Sequence, residues 1–297
     1  MKDLIFTKIP NNPSLEGLAT YVPDVVYSTA RGLDIKLHLI VPQGTSIPDS
    51  PVRYPCIVFV QGSAWTFPDV NYEIPQLSAF AQKGYVVATV THRDATKGHP
   101  APAFLEDVKT AIRFLRANAE QYRIDPKRVG IWGTSSGGNT ALLVGLTGDD
   151  PAYRTDEYPE QSDAVRTVVE CFGPADVPGL FNGLKELAEA QGIADQLENN
   201  PLMTGLFGAD PAEQQRRMSA MNPAEKVVPG KDYPPFLLIH GTVDPVVPYS
   251  QSEDMARRLC AADVHTEMIC VEGAEHEGTF WSQQLLDMIA DYLQRTL

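Results

Sequence analysis

Along the chain, short apolar runs rich in β-branched residues alternate with longer stretches in which apolar residues recur every three or four positions. The runs read as strands and the stretches as helices. Their alternation predicts an α/β protein, with a mostly parallel sheet and helices on both of its faces. Eight strands are expected: Val25 to Ser28, Ile35 to Val41, Cys56 to Val60, Val86 to Val90, Val129 to Trp132, Val165 to Cys171, Phe236 to Ile239 and Thr266 to Val271. The first two flank a turn containing Gly32 and read as an antiparallel hairpin. Phe104, Val108, Ala111, Ile112, Leu115 and Ala119 form one helical stripe, which directs Glu106, Lys109, Arg113 and Arg116 elsewhere. A later helix is expected to start at a capping box of Ser250 and Glu253 and to bury Met255, Leu259 and Ala262. The last helix buries Leu285, Met288, Ile289, Tyr292 and Leu293. The rhythm breaks between about Pro174 and Pro234, where helical stretches at Leu184 to Ala194 and Ala212 to Met221 sit among Gly, Pro and Asn. This interval, 174–234, is expected to be a small cap or lid inserted into a single domain of residues 1–297.

With 297 residues, 43% of them hydrophobic, the chain can bury a substantial core. Its 24 basic and 38 acidic residues leave a net charge of −14, which repels phosphate backbones and anionic headgroups. Neither a nucleic acid nor a membrane is an expected partner. No apolar run approaches the roughly 18 to 20 residues of a membrane-spanning helix. Met1 to Pro13 holds only Leu4, Ile5 and Phe6 as an apolar stretch, too little for a secretory signal, so a cytoplasmic protein is expected. Cys56, Cys171, Cys260 and Cys270 lack any C-x-x-C spacing and read as buried free thiols, with no zinc or redox site.

The segment from Val129 to Gly138 is an apolar strand that runs through Gly133-Thr134-Ser135-Ser136-Gly137 into a helix covering Ala141 to Leu146. A serine hydroxyl becomes a useful nucleophile only where a sharp turn lifts it clear of the sheet, and flanking glycines make room for that turn. Ser135 alone sits in register. The bland alternative is an ordinary strand-to-helix turn. Such a serine needs a base, and the base needs an orienting carboxylate, each delivered by a loop after a later strand. Asp244 follows the strand Phe236 to Ile239 in a Pro-bounded turn, and His276 follows the strand Thr266 to Val271 in a Gly-flanked loop. Alone, each has an ordinary reading, as a turn former and a surface histidine. Together they give the chain order Ser, acid, His of this strand–elbow–helix architecture. His240, beside Gly241, is expected to pack beneath the acid loop, and His38, His92, His99 and His265 lack a strand-end acid partner.

Acyl transfer also needs backbone N–H groups for the oxyanion of the tetrahedral intermediate. Ser136, next to the nucleophile, and Gly62 with Ser63, in the loop Gln61-Gly62-Ser63-Ala64-Trp65 after the third strand, are the candidates. Gln61 and Trp65 are candidates for touching substrate. Trp65, Phe67 and Tyr72 could equally stack on a sugar or aromatic group or serve as core packing.

These features together resemble an α/β-hydrolase of the hormone-sensitive-lipase-like esterases, and in particular the small bacterial acetyl and feruloyl esterases of the BD-FAE type. The resemblance also takes in His92-Arg93, the stretch Pro100 to Asp107, and Asp125-Pro126-Lys127-Arg128 before the nucleophile strand. Two departures stand out. Gln61-Gly62-Ser63-Ala64-Trp65 replaces the usual His-Gly-Gly-Gly or His-Gly-Gly-Ala-Trp, and Glu275 precedes the base where Gly is common. The resemblance implies a carboxylesterase acting on a small-molecule ester through an acyl-enzyme, with no metal and no cofactor. The charged residues Lys185, Glu186 and Glu189 in the cap favour short acyl or aryl esters, of acetyl or feruloyl type and possible on a carbohydrate, over a lipid interface. An arylformamidase would use the same residues, and a non-catalytic binding protein would be expected to have lost one of them. A peptidase would need a further large domain. A homo-oligomer is left open.

Overall fold

A computed structural model describes residues 4–29, 32–44, 52–193, 195–196 and 200–297. Its strands are β1 (Ala19–Ser28), β2 (Ile35–Pro42), β3 (Tyr54–Val60), β4 (Val86–Val90), β5 (Ile124–Thr134), β6 (Val168–Cys171), β7 (Phe236–Gly241) and β8 (Thr266–Val271). They form one eight-stranded sheet in the order β1-β2-β4-β3-β5-β6-β7-β8. β1 and β2 pair antiparallel, as do β2 and β4, and every other neighbouring pair is parallel. β4, β6 and β7 are buried at every position, which is why they read as unbroken apolar runs. β5 lies between β3 and β6, so the loops after those strands converge on its carboxyl end.

The helices are α1 (Ile74–Gln82), α2 (Ala103–Ala117), α3 (Ser136–Leu146), α4 (Val177–Ala190), α5 (Pro201–Phe207), α6 (Pro211–Ala220), α7 (Ser250–Ala261) and α8 (Gln283–Thr296). On one face of the sheet α2, α3 and α7 contribute Phe104, Val108, Leu142 and Leu259 to a large core. On the other, α1 and α8 contribute Leu77, Phe80, Leu285 and Ile289 to a second. Arg93, just past β4, is bound to Asp107 of α2 by its Nε and its backbone N–H, at 2.9 and 2.8 Å. The His92-Arg93 and Asp107 motif therefore joins a strand end to a helix. Among the described residues no helix is long and apolar enough to cross a membrane.

Several expectations need correction. β1 begins at Ala19, six residues before Val25, because a bulge at Pro23 and Asp24 interrupts the alternation that would have revealed it. Ser250 does not cap α7: Tyr249 is the N-cap, no side chain closes it, and Glu253 pairs with Arg257 at 2.7 Å. Met288 is 41% exposed, whereas its companions on α8 are buried. Lys109 and Arg113 point away from the apolar stripe as expected, but not into solvent. Both are fully buried, because the segment from Asp149 to Asp163 folds over that side of α2 and brings Asp163 to 2.5 Å from Lys109 Nζ and 2.9 Å from Arg113 Nη1. Only Cys56 and Cys171 are buried, while Cys260 and Cys270 are exposed. Within 174–234, α4 begins at Val177, seven residues before Leu184, with the Asp176 side chain accepting the Gly179 N–H at 3.2 Å. Ala194, the expected end of that stretch, lies outside the described residues. α5 packs beside Ala95–Lys97, the Leu206 carbonyl accepts the Ala101 N–H at 3.1 Å, and Phe207 meets Phe181 edge-on at 5.0 Å.

Candidate active site

The turn between β5 and α3 is a single residue, Ser135, with φ 52° and ψ −122°. A side chain rarely occupies this region, and the conformation is held from both sides. The Ser135 N–H donates to the Cys171 carbonyl at 2.9 Å, and the Ser135 carbonyl accepts the Asn139 N–H at 3.0 Å. The two glycines of the motif are needed for space. A Cβ on Gly133 would collide with the Gly137 carbonyl, and one on Gly137 with the Val60 carbonyl.

Ser135 Oγ lies 3.1 Å from His276 Nε2, and His276 Nδ1 lies 2.6 Å from Asp244 Oδ2. The three residues singled out in the sequence thus meet at the carboxyl ends of β5, β7 and β8. The Asp244 side chain is fully buried and that of His276 is 13% exposed. Burial would raise the Asp244 pKa, but hydrogen bonds from His240, His276 and the Val247 and Val246 amides hold it well below the usual carboxylate range. An ionised carboxylate opposite Nδ1 fixes the proton there and leaves the Nε2 lone pair directed at the Ser135 hydroxyl. The Phe172 ring, 4.6 Å from the imidazole between centroids, packs against His276.

The loop carrying Gly62 and Ser63 lies against the elbow: a Cβ on Gly62 would come within 2.6 Å of Ser135 Cβ. Gly62 N–H donates to Thr134 Oγ1 and Ser63 N–H to Ser136 Oγ, both at 2.9 Å. Hydroxyls therefore occupy two of the three expected oxyanion donors, and a substrate oxygen would have to replace the Ser136 hydroxyl to reach Ser63 N–H. Trp65 is 4% exposed and leans on Phe104 in the core, whereas Phe67 and Tyr72 are 63% and 60% exposed. Glu275 is exposed, so the side chain that replaces the usual Gly has open space around it.

Gln61 faces a carboxyl that the sequence did not single out. Glu73, the residue before α1, is buried, and burial, reinforced by the charge of Glu277, pushes its pKa up to about 8 despite the stabilising Gln61 side chain. Its Oε1 has no hydrogen-bond partner and borders a small cavity walled by Phe59, Tyr72, Trp132 and Trp281. Trp281 in turn donates its indole N–H to Glu277 at 2.8 Å, one residue beyond the base. Beneath Asp244 lies His240, where the sequence placed it, joined to Ser252 and through it to Glu170 of β6. Glu170 left one signal, a charge inside an otherwise apolar strand.

A central strand-to-helix serine turn with an acid and a histidine after the following strands, all on a mostly parallel eight-stranded sheet, defines an α/β-hydrolase. The pattern of the BD-FAE family matches residues 45–259, and the chain belongs to that family. Esterase LipC of Mycobacterium tuberculosis is 32% identical over 219 residues, which are 72% of this chain and 50% of that protein. The chain spans about half the length of the curated relatives it matches. Among solved structures, a truncated carbohydrate esterase from gut microbiota is similar, with TM-score 0.77 and 26% identity over 96% of this chain and 99% of that one. An esterase of Thermogutta terrifontis, with TM-score 0.72 and 23% identity over 92% and 93% of the two chains, shares the fold.

Proposed function

We propose that the protein is a serine carboxylesterase that cleaves short acyl or aryl esters, of acetyl or feruloyl type, with a carbohydrate as alcohol. The observation that carries this reading is the continuous hydrogen-bonded line from Ser135 through His276 to Asp244. In the reaction, His276 Nε2 takes the Ser135 proton as Oγ bonds to the ester carbonyl carbon. Ser136 N–H receives the resulting oxyanion, joined by the Gly62 and Ser63 N–H groups once the Thr134 and Ser136 hydroxyls that they hold have turned away. Collapse breaks the bond to the alcohol oxygen, which leaves with the proton from His276. Water, deprotonated by the same imidazole, then releases the acid from Ser135. Asp244 stays ionised throughout and balances the imidazolium.

The carbohydrate part of the reading is supported by the similarity to a gut carbohydrate esterase and by the chemistry around Gln61. With its pKa raised to about 8, the Glu73 carboxyl is mostly neutral at pH 7, so beside Gln61 it offers an uncharged donor and acceptor to a cavity with aromatic walls. Such a surface suits a hydroxyl-rich alcohol better than an anionic one. We also assign 174–234 as the cap of a single domain. The test is a panel of acetyl, butyryl and feruloyl esters, on simple alcohols and on sugars, with wild type and Ser135→Ala side by side. The variant is expected to lose roughly 10⁴ to 10⁶ in rate and all labelling by a fluorophosphonate probe. A wild-type protein that is folded yet inert to both ester and probe would overturn the reading.

A further inference from the structure

Behind the acid lies a run of buried polar groups that the proposed reaction does not use. Asp244 Oδ1 accepts the Val246 and Val247 N–H groups at 2.7 and 2.9 Å, while Oδ2 faces two imidazoles, His276 at 2.6 Å and His240 at 3.3 Å. His240 Nε2 also lies 2.9 Å from the Val247 carbonyl. With acceptors alone opposite it, Nε2 carries a proton. His240 Nδ1 is 2.7 Å from Ser252 Oγ, which is 3.1 Å from Glu170 Oε2, and Glu170 Oε1 accepts the Gly173 N–H. Glu170, His240 and Ser252 are each fully buried.

The hydroxyl of Ser252 has one hydrogen to give and two neighbours to satisfy. If it donates to His240 Nδ1, the proton of the second contact must sit on Glu170. If it donates to a Glu170 carboxylate, that proton must sit on His240 Nδ1. Both arrangements hold one proton more than a carboxylate and a neutral imidazole. Without it, two acceptors face each other in a dry site, a costly conflict. We propose that Glu170, Ser252 and His240 share this single proton and act as positioning residues, holding the Asp244 carboxylate in line with His276.

The other groups facing the chain are Asp244 and His276 from the loops, the Cys171 thiol beside Glu170, and the rings of Phe172 and Tyr249 against His240. Burial, only partly offset by His240, the Gly173 amide and Ser252, pushes Glu170 up to about 7, which agrees with a retained proton.

The catalytic consequence rests on the esterase reading, so two readouts are needed. In kcat against pH, wild type is expected to show an alkaline decline. Glu170→Leu and Ser252→Ala should lower kcat roughly tenfold with little change in KM. Glu170→Gln, whose amide donates to Ser252 and whose carbonyl accepts from Gly173, should restore most of what Glu170→Leu loses and flatten the decline. In nitrogen NMR of labelled histidine, readable without any turnover, the His240 Nδ1 signal of wild type should move as the shared proton leaves, whereas in Glu170→Gln, which has no such proton to lose, Nδ1 stays an acceptor and the proton stays on Nε2. A His240 Nδ1 signal that moves alike with pH in both proteins, or in neither, overturns the shared proton. Equal losses in the Gln and Leu variants overturn the positioning role. If wild type lacks esterase activity, the NMR result still decides the proton.

Discussion

Gly62→Ala is the most direct probe of how tightly the proposed oxyanion loop must approach Ser135. Gly62 is not in the left-handed region, so the new methyl acts through contact and not through backbone strain. Built in place, it would lie 2.6 Å from Ser135 Cβ and 3.0 Å from the Thr134 carbonyl oxygen, whereas ordinary contact begins near 3.4 Å. Loop and elbow must therefore part by about 0.8 Å, the difference between 3.4 and 2.6 Å. A displacement of this size at a hydrogen-bonding site costs on the order of 10² in rate, comparable to the loss of one oxyanion donor. The expected result is a kcat for p-nitrophenyl acetate lower by roughly 100-fold, with KM changed by only a few fold and stability lowered by about 1 to 3 kcal/mol. Steady-state kinetics beside a urea unfolding curve measure both. A folded variant with kcat within about threefold of wild type would show that the loop does not receive the oxyanion.

Two further predictions concern stability. Asp163→Asn leaves Lys109 and Arg113 buried without their shared carboxylate, and is expected to cost about 3 to 5 kcal/mol in urea unfolding; a loss under about 1 kcal/mol would mean that water reaches those cations. Glu73 has its pKa raised from 4.5 to about 8, so its proton favours the folded state fully below about pH 4.5, and this benefit is lost as pH rises through about 8. Glu73→Gln should therefore gain on wild type in melting temperature between about pH 5 and about pH 9, and a constant gap would refute the buried neutral carboxyl.

Ser135, Asp244 and His276 were legible because each follows an apolar strand directly and lies in a turn whose Gly or Pro residues mark it locally. No tertiary information was needed to order them. The sheet order was not readable, since β4 lies between β2 and β3 only through crossovers that leave no local trace. The burial of Lys109 and Arg113 was hidden for a related reason: helical periodicity reports which side of α2 is apolar, not that Asp163, about fifty residues on, will cover the polar side. Glu73 was missed along with α1, whose nine residues, with Pro75 in the first turn, give a weak periodic signal. Glu170 was visible as a charge in an apolar run, but its partner Ser252 is brought to it only by the packing of α7 on β7 and β8.

The strand that leads to His276 is the last in the sheet. β8 pairs with β7 alone and none of its positions is fully buried, whereas β5, which delivers the serine, is enclosed on both sides. Edge strands open at lower cost than central ones. Warming the protein would first loosen the margin that carries His276, so the imidazole leaves its place while Ser135 is still seated in intact structure.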